Sequence, residues 1–322
     1  MKRFIKMPQY IKNVRIVEVG LRDGLQNEKS IVPLNIKIEL LKKLSNTGLQ
    51  SIEVGSFVSP KWVPQMENTD KLCNYIKEQK QLNNEKLNTK NISFSVLTPN
   101  MEGLNNAIRC DGMDEIAIFT AASEEFSKKN INCSIKESLN HFEPMVKKAL
   151  INKKRVRGYI SCVLGCPFSG YINPKKVGDI TKKLLKMGCY EISLGDTIGI
   201  GTVGTTEELL NHLINIENIL PEKLAVHFHD TNGQALANIH LALQYGVRVI
   251  DSSISGLGGC PYGGNGASGN VATEDVLYML HGSNIETGVN MEKILEASKY
   301  IDSILNRKST SKVCISKNIS LN

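Results

Sequence analysis

The chain has 322 residues, of which 41% are hydrophobic and 22% are charged, and its formal net charge is +7. This composition is ordinary for a globular enzyme with a sizeable core, and the modest positive charge permits an anionic ligand such as a phosphate or a carboxylate. The lysines are scattered and no run of about 18 apolar residues occurs, which excludes nucleic acid and a membrane as expected partners.

The N-terminus and the cysteines bear on the cellular compartment. The opening stretch, MKRFIKMPQYIKNV, is basic and lacks the apolar run of a secretory signal. The eight cysteines are scattered without a CxxC pair, so we expect free thiols in a reducing compartment. That compartment is the cytoplasm, or the mitochondrial matrix if the basic segment is a targeting remnant. Residues 1–13 are predicted to be an N-terminal extension.

Eight short runs rich in β-branched and apolar residues are predicted strands. They cover residues 15–20, 51–57, 92–97, 115–120, 156–163, 190–196, 224–230 and 247–255. Amphipathic segments such as 35–48 and 233–246 lie between them and end in glycine, as helices often do. Strands that alternate with helices predict parallel βαβ units.

Eight such units fit an α/β fold of the closed (β/α)₈ TIM barrel class, which we place over residues 14–282. A doubly wound open sheet is the alternative, but it would want a glycine-rich phosphate turn, and GLRDGLQNEK after the first strand lacks that pattern. Residues 283–322 are predicted to be a short C-terminal extension, with one helix from about residue 290 to 305 and a polar, lysine-rich tail.

The seventh run, LAVHFHD, places two histidines two residues apart at a predicted strand end, where a barrel builds its active site. Strand side chains alternate between faces, so His227 and His229 point the same way and Phe228 points the other way. A pair of core histidines is the alternative. With aspartates at neighbouring strand ends, the pattern favours a divalent metal, Mg²⁺ or Mn²⁺ before zinc.

Three acidic residues and one arginine lie at other predicted strands. Arg22 and Asp23 follow the first strand, although this dipeptide alone also fits a surface turn. Glu53 in the second strand fits a buried ion pair. Asp196 ends the sixth strand and fits either a metal ligand or a group that fixes a histidine tautomer.

The loop that follows the eighth strand carries seven glycines in residues 256–270. Glycine-dense loops at a barrel mouth can close over a substrate. Cys260 lies in this loop, where nearby positive charge would lower its thiol pKa and suit it to acid–base chemistry. An inert, buried thiol is the alternative. Asn270 lies near the start of the next helix, so its amide can face the mouth.

Several stretches together resemble the 3-hydroxy-3-methylglutaryl-CoA (HMG-CoA) lyase family, from about residue 14 to residue 312. They are GLRDGLQNEK, SFVSPKWVPQM, FTAASEEFSKKNINCSI, VRGYISCVLGCP, GCYEISLGDTIGIGT, HDTNGQALAN, GLGGCPY and GASGNVATED. The resemblance implies a TIM-barrel lyase that uses a divalent cation to cleave HMG-CoA into acetoacetate and acetyl-CoA, as in leucine degradation and ketone-body formation. It also implies an acyl-CoA thioester as the substrate and a homodimer as the assembly.

The resemblance assigns roles to the residues of the candidate site. Asp23, His227 and His229 match metal ligands, and Asn270 completes the set. Arg22 matches the arginine that stabilises the enolate of the leaving acetyl-CoA.

Other positions carry over as supporting groups. Cys260 matches a cysteine implicated in proton transfer, and Glu53 and Asp196 match supporting acids near the metal. Asn306 and Lys308 match positions that meet the nucleotide end of CoA, and Gln26 is expected to contact the substrate. The loop from Cys260 to Asn270 is one residue longer than is usual in the family.

Two other functions remain open. A condensing acyl-CoA synthase of the same superfamily would share the Arg-Asp and His-x-His pairs. Such enzymes typically lack the GGCPY loop and carry a larger C-terminal region, for which this chain leaves no room. A catalytically silent barrel that binds CoA or a metal would be expected to have lost at least one of the catalytic side chains.

Overall fold

The computed structural model describes residues 12–82, 87–259 and 269–319, and within them eight parallel strands form a closed barrel in chain order. The predicted (β/α)₈ barrel is confirmed, and the open doubly wound sheet is wrong. The strands are β1 (Arg15–Glu18), β2 (Ser51–Ser56), β3 (Ser93–Leu97), β4 (Glu115–Ala121), β5 (Arg155–Ser161), β6 (Glu191–Asp196), β7 (Leu224–Phe228) and β8 (Val249–Ser252).

Helices follow the strands around the outside of the barrel. They are α1 (Leu34–Ser45), α2 (Thr69–Leu82), α3 (Met101–Cys110), α4 (Glu124–Ile131), α5 (Ile135–Ile151), α6 (Pro174–Met187), α7 (Val203–Asn211), α8 (Ala235–Gln244), α9 (Thr273–Gly282), α10 (Met291–Leu305) and α11 (Lys312–Ile319). The predicted helices 35–48 and 233–246 correspond to α1 and α8. Gly48 and Gly246 follow them with φ values of +93° and +88°, a left-handed conformation that favours glycine.

Several strands end earlier than predicted: β7 ends at Phe228, so that His229 follows directly after it, and β1 and β8 each stop before a buried turn. The first was expected to reach residue 20, but β1 ends at Glu18 and Gly20–Gly24 form one π-helical turn. The eighth was expected to reach residue 255, but β8 ends at Ser252 and Ile254–Gly256 form a 3₁₀ turn. Most residues of both turns are buried, so burial does not separate these turns from the strands before them.

The two faces of the barrel differ in chemistry. The outward face packs against the helices and forms the main hydrophobic core, with side chains such as Ile16, Ile52, Phe94, Val156 and Phe228. The inward face combines a few apolar residues with buried charged ones, among them Glu53, Arg157, Glu191 and Asp251. TIM-barrel interiors are more often filled by branched apolar side chains. Charges therefore lie directly below the mouth of this barrel.

The C-terminal extension is more helical than expected. Helix α10 matches the predicted helix and adds Ile294, Ala297 and Ile301 to the main hydrophobic core. Within the lysine-rich tail a second helix, α11, forms and buries Val313 and Cys314. Burial raises the pKa of the Cys314 thiol to about 12. The division into residues 1–13, 14–282 and 283–322 stays a prediction.

The sequence predicts free thiols and no helix that spans a membrane. The seven cysteines of the described residues are free thiols. Within the same residues, every helix is too short or too polar to cross a membrane.

Candidate active site

A cavity of about 970 Å³ opens at the C-terminal ends of the strands. Its lining comes from many segments that are far apart in sequence, including the turn after β1, the β2–α2 loop, β5, α4 and β7. It includes Arg22, Asp23, Gln26, His227 and His229. The closed barrel therefore gathers predicted site residues from opposite ends of the chain around one concave surface.

Three potential ligand atoms converge at the floor of this cavity. Asp23 Oδ2 lies 3.4 Å from His227 Nε2 and 3.9 Å from His229 Nε2. One ligand atom from each of the three residues lies within 4.8 Å of the others. The imidazole rings of the two histidines have centroids 5.4 Å apart, with His227 in β7 and His229 directly after it. One carboxylate oxygen and two imidazole nitrogens form a donor set that fits a divalent cation.

His227 is held in place from behind by Asp251 of β8. Its Nδ1 lies 3.1 Å from Asp251 Oδ2, and the two residues are paired neighbours in the β7–β8 register. A bond from Nδ1–H to a carboxylate fixes the ring so that Nε2 is aimed at a ligand, which is the usual support of metal-binding histidines. His227 therefore presents Nε2 to the cavity.

Asn270 lies beside the same atoms. Its side-chain amide donates a hydrogen bond to Asp23 Oδ2 at 2.8 Å and another to the Leu257 carbonyl at 3.2 Å. Its backbone forms an isolated bridge with His229, which ties the start of α9 to the end of β7. Rotation of the amide by half a turn would present its oxygen in place of its nitrogen.

Arg22 is buried and is held between two carboxylates. Its Nε donates to Glu53 Oε2 at 2.7 Å, and its Nη1 donates to Asp23 Oδ1. The guanidinium also lies 5.3 Å from the centre of the Tyr159 ring. The alternative of an exposed surface turn is wrong, because the π-helical turn brings Arg22 and Asp23 side by side within the cavity.

Burial and neighbouring charges set the pKa values of this cluster. Burial would raise the pKa of the Asp23 carboxyl, but Arg22 and the two imidazoles outweigh it and hold that pKa well below its usual range. Burial opposes the charge on His227, but hydrogen bonds to Asp23 and Asp251 raise its pKa to about 9. Burial and the charge of His227 lower the pKa of His229 to about 4. Before a cation binds, His227 is therefore an imidazolium, and a bound cation would displace the proton on its Nε2.

The two supporting acids lie on different faces of the barrel. Glu53 points inward and bonds Arg22, and its Oε1 has no hydrogen-bond partner among the described residues. Asp196 pairs in register with Phe228, on the outward face, so its carboxylate accepts N–H groups from Ile200 and Gly201 instead. The expectation that Asp196 fixes a histidine tautomer is not met, since Asp251 makes that contact. Burial raises the pKa of Asp196 to about 6.

The remaining predicted site residues are Gln26, Asn306, Lys308 and Cys260. Gln26 lines the cavity, whereas the exposed side chains of Asn306 and Lys308 lie outside its described lining. They belong to the segment after α10, where Arg307 forms an ion pair with Glu28 at 3.0 Å. Cys260 lies outside the described residues.

The described ends of the glycine-rich loop can be placed. Gly259 lines the cavity, and its carbonyl accepts a hydrogen bond from the Asn27 amide at 2.6 Å. At the other end of the loop, the Gly269 carbonyl accepts the Asp230 N–H at 2.9 Å. The residue before Cys260 therefore lies at the mouth of the cavity.

Sequence reasoning missed three inward-facing residues: Arg157, Tyr159 and Asp251. The signal was present, since Arg157 and Tyr159 alternate within the run VRGYISCV and Asp251 interrupts the apolar run VRVID. Polar side chains at every second position of a buried strand indicate that one face of the sheet is polar.

Comparisons with known proteins agree with this architecture. A family model described as HMGL-like matches residues 13–301. The mouse cytoplasmic 3-hydroxy-3-methylglutaryl-CoA lyase is 53% identical, over 95% of this chain and 84% of its own length. The bovine mitochondrial hydroxymethylglutaryl-CoA lyase is 55% identical, over 94% of this chain and 89% of its own.

Solved structures give the same result. The crystal structure of hydroxymethylglutaryl-CoA lyase from Pseudomonas aeruginosa superposes with a TM-score of 0.89 at 48% identity, covering 96% of this chain and 98% of that one. With the barrel, the histidine pair and the buried Arg22-Asp23 turn in place, the chain belongs to the HMGL-like family.

Proposed function

We propose that this protein is a metal-dependent carbon–carbon lyase that cleaves HMG-CoA into acetoacetate and acetyl-CoA. The observation that carries the proposal is the convergence of Asp23, His227, His229 and Arg22 in one cavity. Relatives that carry the name HMG-CoA lyase align along almost the whole chain and support the same substrate. A role in leucine degradation and ketone-body formation follows from that reaction.

The cation that we propose is Mg²⁺ or Mn²⁺, held by Asp23, His227 and His229 with Asn270 as a fourth ligand. Oxygen-containing donor sets with room for water suit these ions. When bound, the ion would act as a Lewis acid toward the substrate's tertiary hydroxyl and lower the pKa of that group.

The chain must then accept the hydroxyl proton. Asp23 is our first candidate for this base, although the low pKa of its carboxyl makes it a weak one. His227 can relay the proton only while its Nε2 is free, because its Nδ1 is already bonded to Asp251. The two roles proposed for His227, ligand and relay, therefore compete for the same nitrogen atom.

Cleavage of the carbon–carbon bond places negative charge on the thioester oxygen of the departing acetyl-CoA. The Arg22 guanidinium is positioned to stabilise this charge, and Glu53 and Asp23 fix its orientation before the reaction. A donor that is held in place stabilises the transition state more than the ground state, since no reorganisation is required when charge develops.

The enolate must next receive a proton, and we propose that the Cys260 thiol gives it. The described neighbour Gly259 lines the cavity, which places the start of the loop within reach of the site. Arg22 and the divalent cation make these surroundings cationic, so the thiol pKa is expected to fall below its usual value of about 8.5.

Replacement of Cys260 by Ser is expected to leave folding and Mn²⁺ binding unchanged and to remove most of the turnover. A serine hydroxyl has nearly the same size but is a much weaker acid than a thiol. The measurements are kcat with HMG-CoA, and peptide mass mapping after iodoacetamide treatment with and without substrate. Substrate should protect Cys260 from alkylation in the parent protein. Full activity of the serine variant would assign the proton to another donor.

The rest of the acyl-CoA needs contacts farther from the reacting atoms. We propose that Gln26 contacts the substrate in the cavity and that Asn306 and Lys308 meet the nucleotide end of CoA. Their exposure beside the Arg307–Glu28 ion pair leaves them free to bind phosphate. We also propose a homodimer in the cytoplasm or the mitochondrial matrix, in keeping with the relatives, which include forms named cytoplasmic and forms named mitochondrial. Sedimentation equilibrium would test the assembly.

Incubation of the purified protein with HMG-CoA and Mg²⁺ or Mn²⁺ tests the function. We expect equal amounts of acetoacetate and acetyl-CoA, and no products when a chelator is present. A condensing synthase would instead consume acetyl-CoA in the presence of a 2-oxo acid. A silent barrel would bind the metal or CoA without forming either product.

A further inference from the structure

Arg157 lies inside the barrel, below the candidate active site, and is the largest of the fully buried side chains among the described residues. Its guanidinium binds both oxygens of Asp251, with Nη2–Oδ1 at 2.7 Å and Nη1–Oδ2 at 2.9 Å. Its Nε donates to Glu191 at 2.7 Å, and Nη1 also donates to the Tyr159 hydroxyl at 2.9 Å. One side chain thus contacts β6, β8 and a second residue of its own strand, β5.

Two branches lead from this guanidinium to the site. In the first branch, Asp251 links Arg157 to His227, because its Oδ2 lies 3.1 Å from His227 Nδ1. In the second, the Tyr159 hydroxyl donates to Glu53 Oε2 at 3.1 Å, and the same oxygen accepts Arg22 Nε at 2.7 Å. The first branch ends on a candidate metal ligand, and the second ends on the guanidinium that faces the substrate.

We propose that Arg157 is a positioning residue that orients His227 through Asp251 and Arg22 through Tyr159 and Glu53. It does not line the cavity, whereas Tyr159 does, so Arg157 acts through other side chains and not on the substrate. The first branch concerns only the metal site. The second rests on the proposed function, because Arg22 is expected to matter only during cleavage.

The chemistry of arginine explains why this position carries it. A planar guanidinium can chelate both oxygens of a carboxylate and still donate sideways to two more acceptors, which an ammonium group cannot do in a fixed geometry. The Tyr159 ring also contacts both arginines, with Arg157 Cζ 5.0 Å and Arg22 Cζ 5.3 Å from its centre. Both branches therefore share rigid contacts around one buried ring.

Three variants separate the branches, and Mn²⁺ affinity by titration calorimetry and kcat at saturating Mn²⁺ are the readouts. Arg157→Lys is expected to weaken Mn²⁺ binding by about 10–100-fold, as for lost support of a ligating histidine, and to lower kcat as well. Asp251→Asn is expected to weaken Mn²⁺ binding by a similar factor. Tyr159→Phe keeps the ring and the first branch, so it should lower kcat about tenfold with Mn²⁺ affinity unchanged.

Arg15→Lys is the matched control. Arg15 also forms an ion pair with Glu191, but it contacts neither Asp251 nor Tyr159 in the hydrogen bonds of the described residues. The same substitution there should leave Mn²⁺ affinity and kcat at the parent values. If Arg15→Lys reproduces the losses, or if folded Arg157→Lys keeps both parent values, the proposal is wrong.

Arg157→Lys could fail to fold, since it disturbs a buried charge. The decision then rests on the other two variants, with thermal unfolding used to check that each is folded. Parent-like Mn²⁺ affinity in Asp251→Asn, or weakened Mn²⁺ affinity in Tyr159→Phe, would overturn the two-branch arrangement. The Mn²⁺ titrations need no substrate. A parent protein that binds Mn²⁺ but does not cleave HMG-CoA would reject the proposed function and leave the first branch testable.

Discussion

Replacement of Arg22 by Gln is expected to lower kcat for HMG-CoA cleavage by about 10²–10³, the usual cost of removing one fixed donor from a developing oxyanion. Glutamine can keep one hydrogen bond, but it carries no charge to oppose the enolate oxygen. Mn²⁺ affinity should change little, because Arg22 contributes no ligand atom to the cluster of Asp23, His227 and His229. Steady-state kinetics at saturating Mn²⁺, together with calorimetric titration, check both parts.

Arg155→Gln is the matched control for this substitution. Arg155 lies at the start of β5, at the opposite end of the barrel from the cavity, and its side chain is half exposed. The control should retain the parent kcat. If Arg22→Gln keeps the parent kcat, Arg22 does not stabilise the enolate oxygen. If the variant loses Mn²⁺ binding, the role of Arg22 is instead to support the ligand Asp23.

The barrel was predictable because its signal is local and repeated. Each strand is a short buried run, and amphipathic segments such as those of α1 and α8 lie between the runs, so eight strand–helix units could be counted from the pattern alone. The ends of the strands were harder to place. Gly20–Gly24 and Ile254–Gly256 are as buried as the strands before them, and hydrophobicity does not distinguish a buried turn from a buried strand.

The candidate metal cluster was predictable in part for the same reason. His227 and His229 share a strand face by simple alternation, and this needs no knowledge of the neighbouring strands. Their partner Asp23 came from its place at a strand end and from the family resemblance. That Arg22 and Asp23 form an ion pair did not follow, because adjacent residues of a strand diverge and only the π-helical turn brings them together.

The support beneath the cluster depends on register, which the sequence does not specify. Asp251 reaches His227 because the two residues are paired across β7 and β8, and Arg157 reaches Glu191 because they are paired across β5 and β6. The stagger of strands in a closed barrel is set by their tilt and by packing around the whole ring. The same register places Asp196 on the outward face with Phe228, away from the histidines.

Replacement of His227 or His229 by Ala is expected to weaken Mn²⁺ binding by at least about 10–100-fold, the range known for loss of a mere supporting contact to a ligand. Each substitution removes one of three converging donors. His141→Ala is the matched control, since His141 lines the same cavity but does not belong to the cluster. Calorimetric titration with Mn²⁺ measures the affinity, and thermal unfolding confirms that each variant is folded.

The two histidine variants should also differ in a way that reveals how the site is built. Removal of His227 leaves the Asp251 carboxylate without its imidazole partner, although Arg157 still neutralises that charge. His229 has no equivalent carboxylate behind it in the described residues, where its ion-pair contact is with Asp23 in the cavity. Free imidazole should therefore restore Mn²⁺ binding more fully in His227→Ala, where Asp251 can orient the added ring, than in His229→Ala. Equal rescue would mean that Asp251 does not orient the ligand, and parent-like affinity in both variants would place the cation elsewhere.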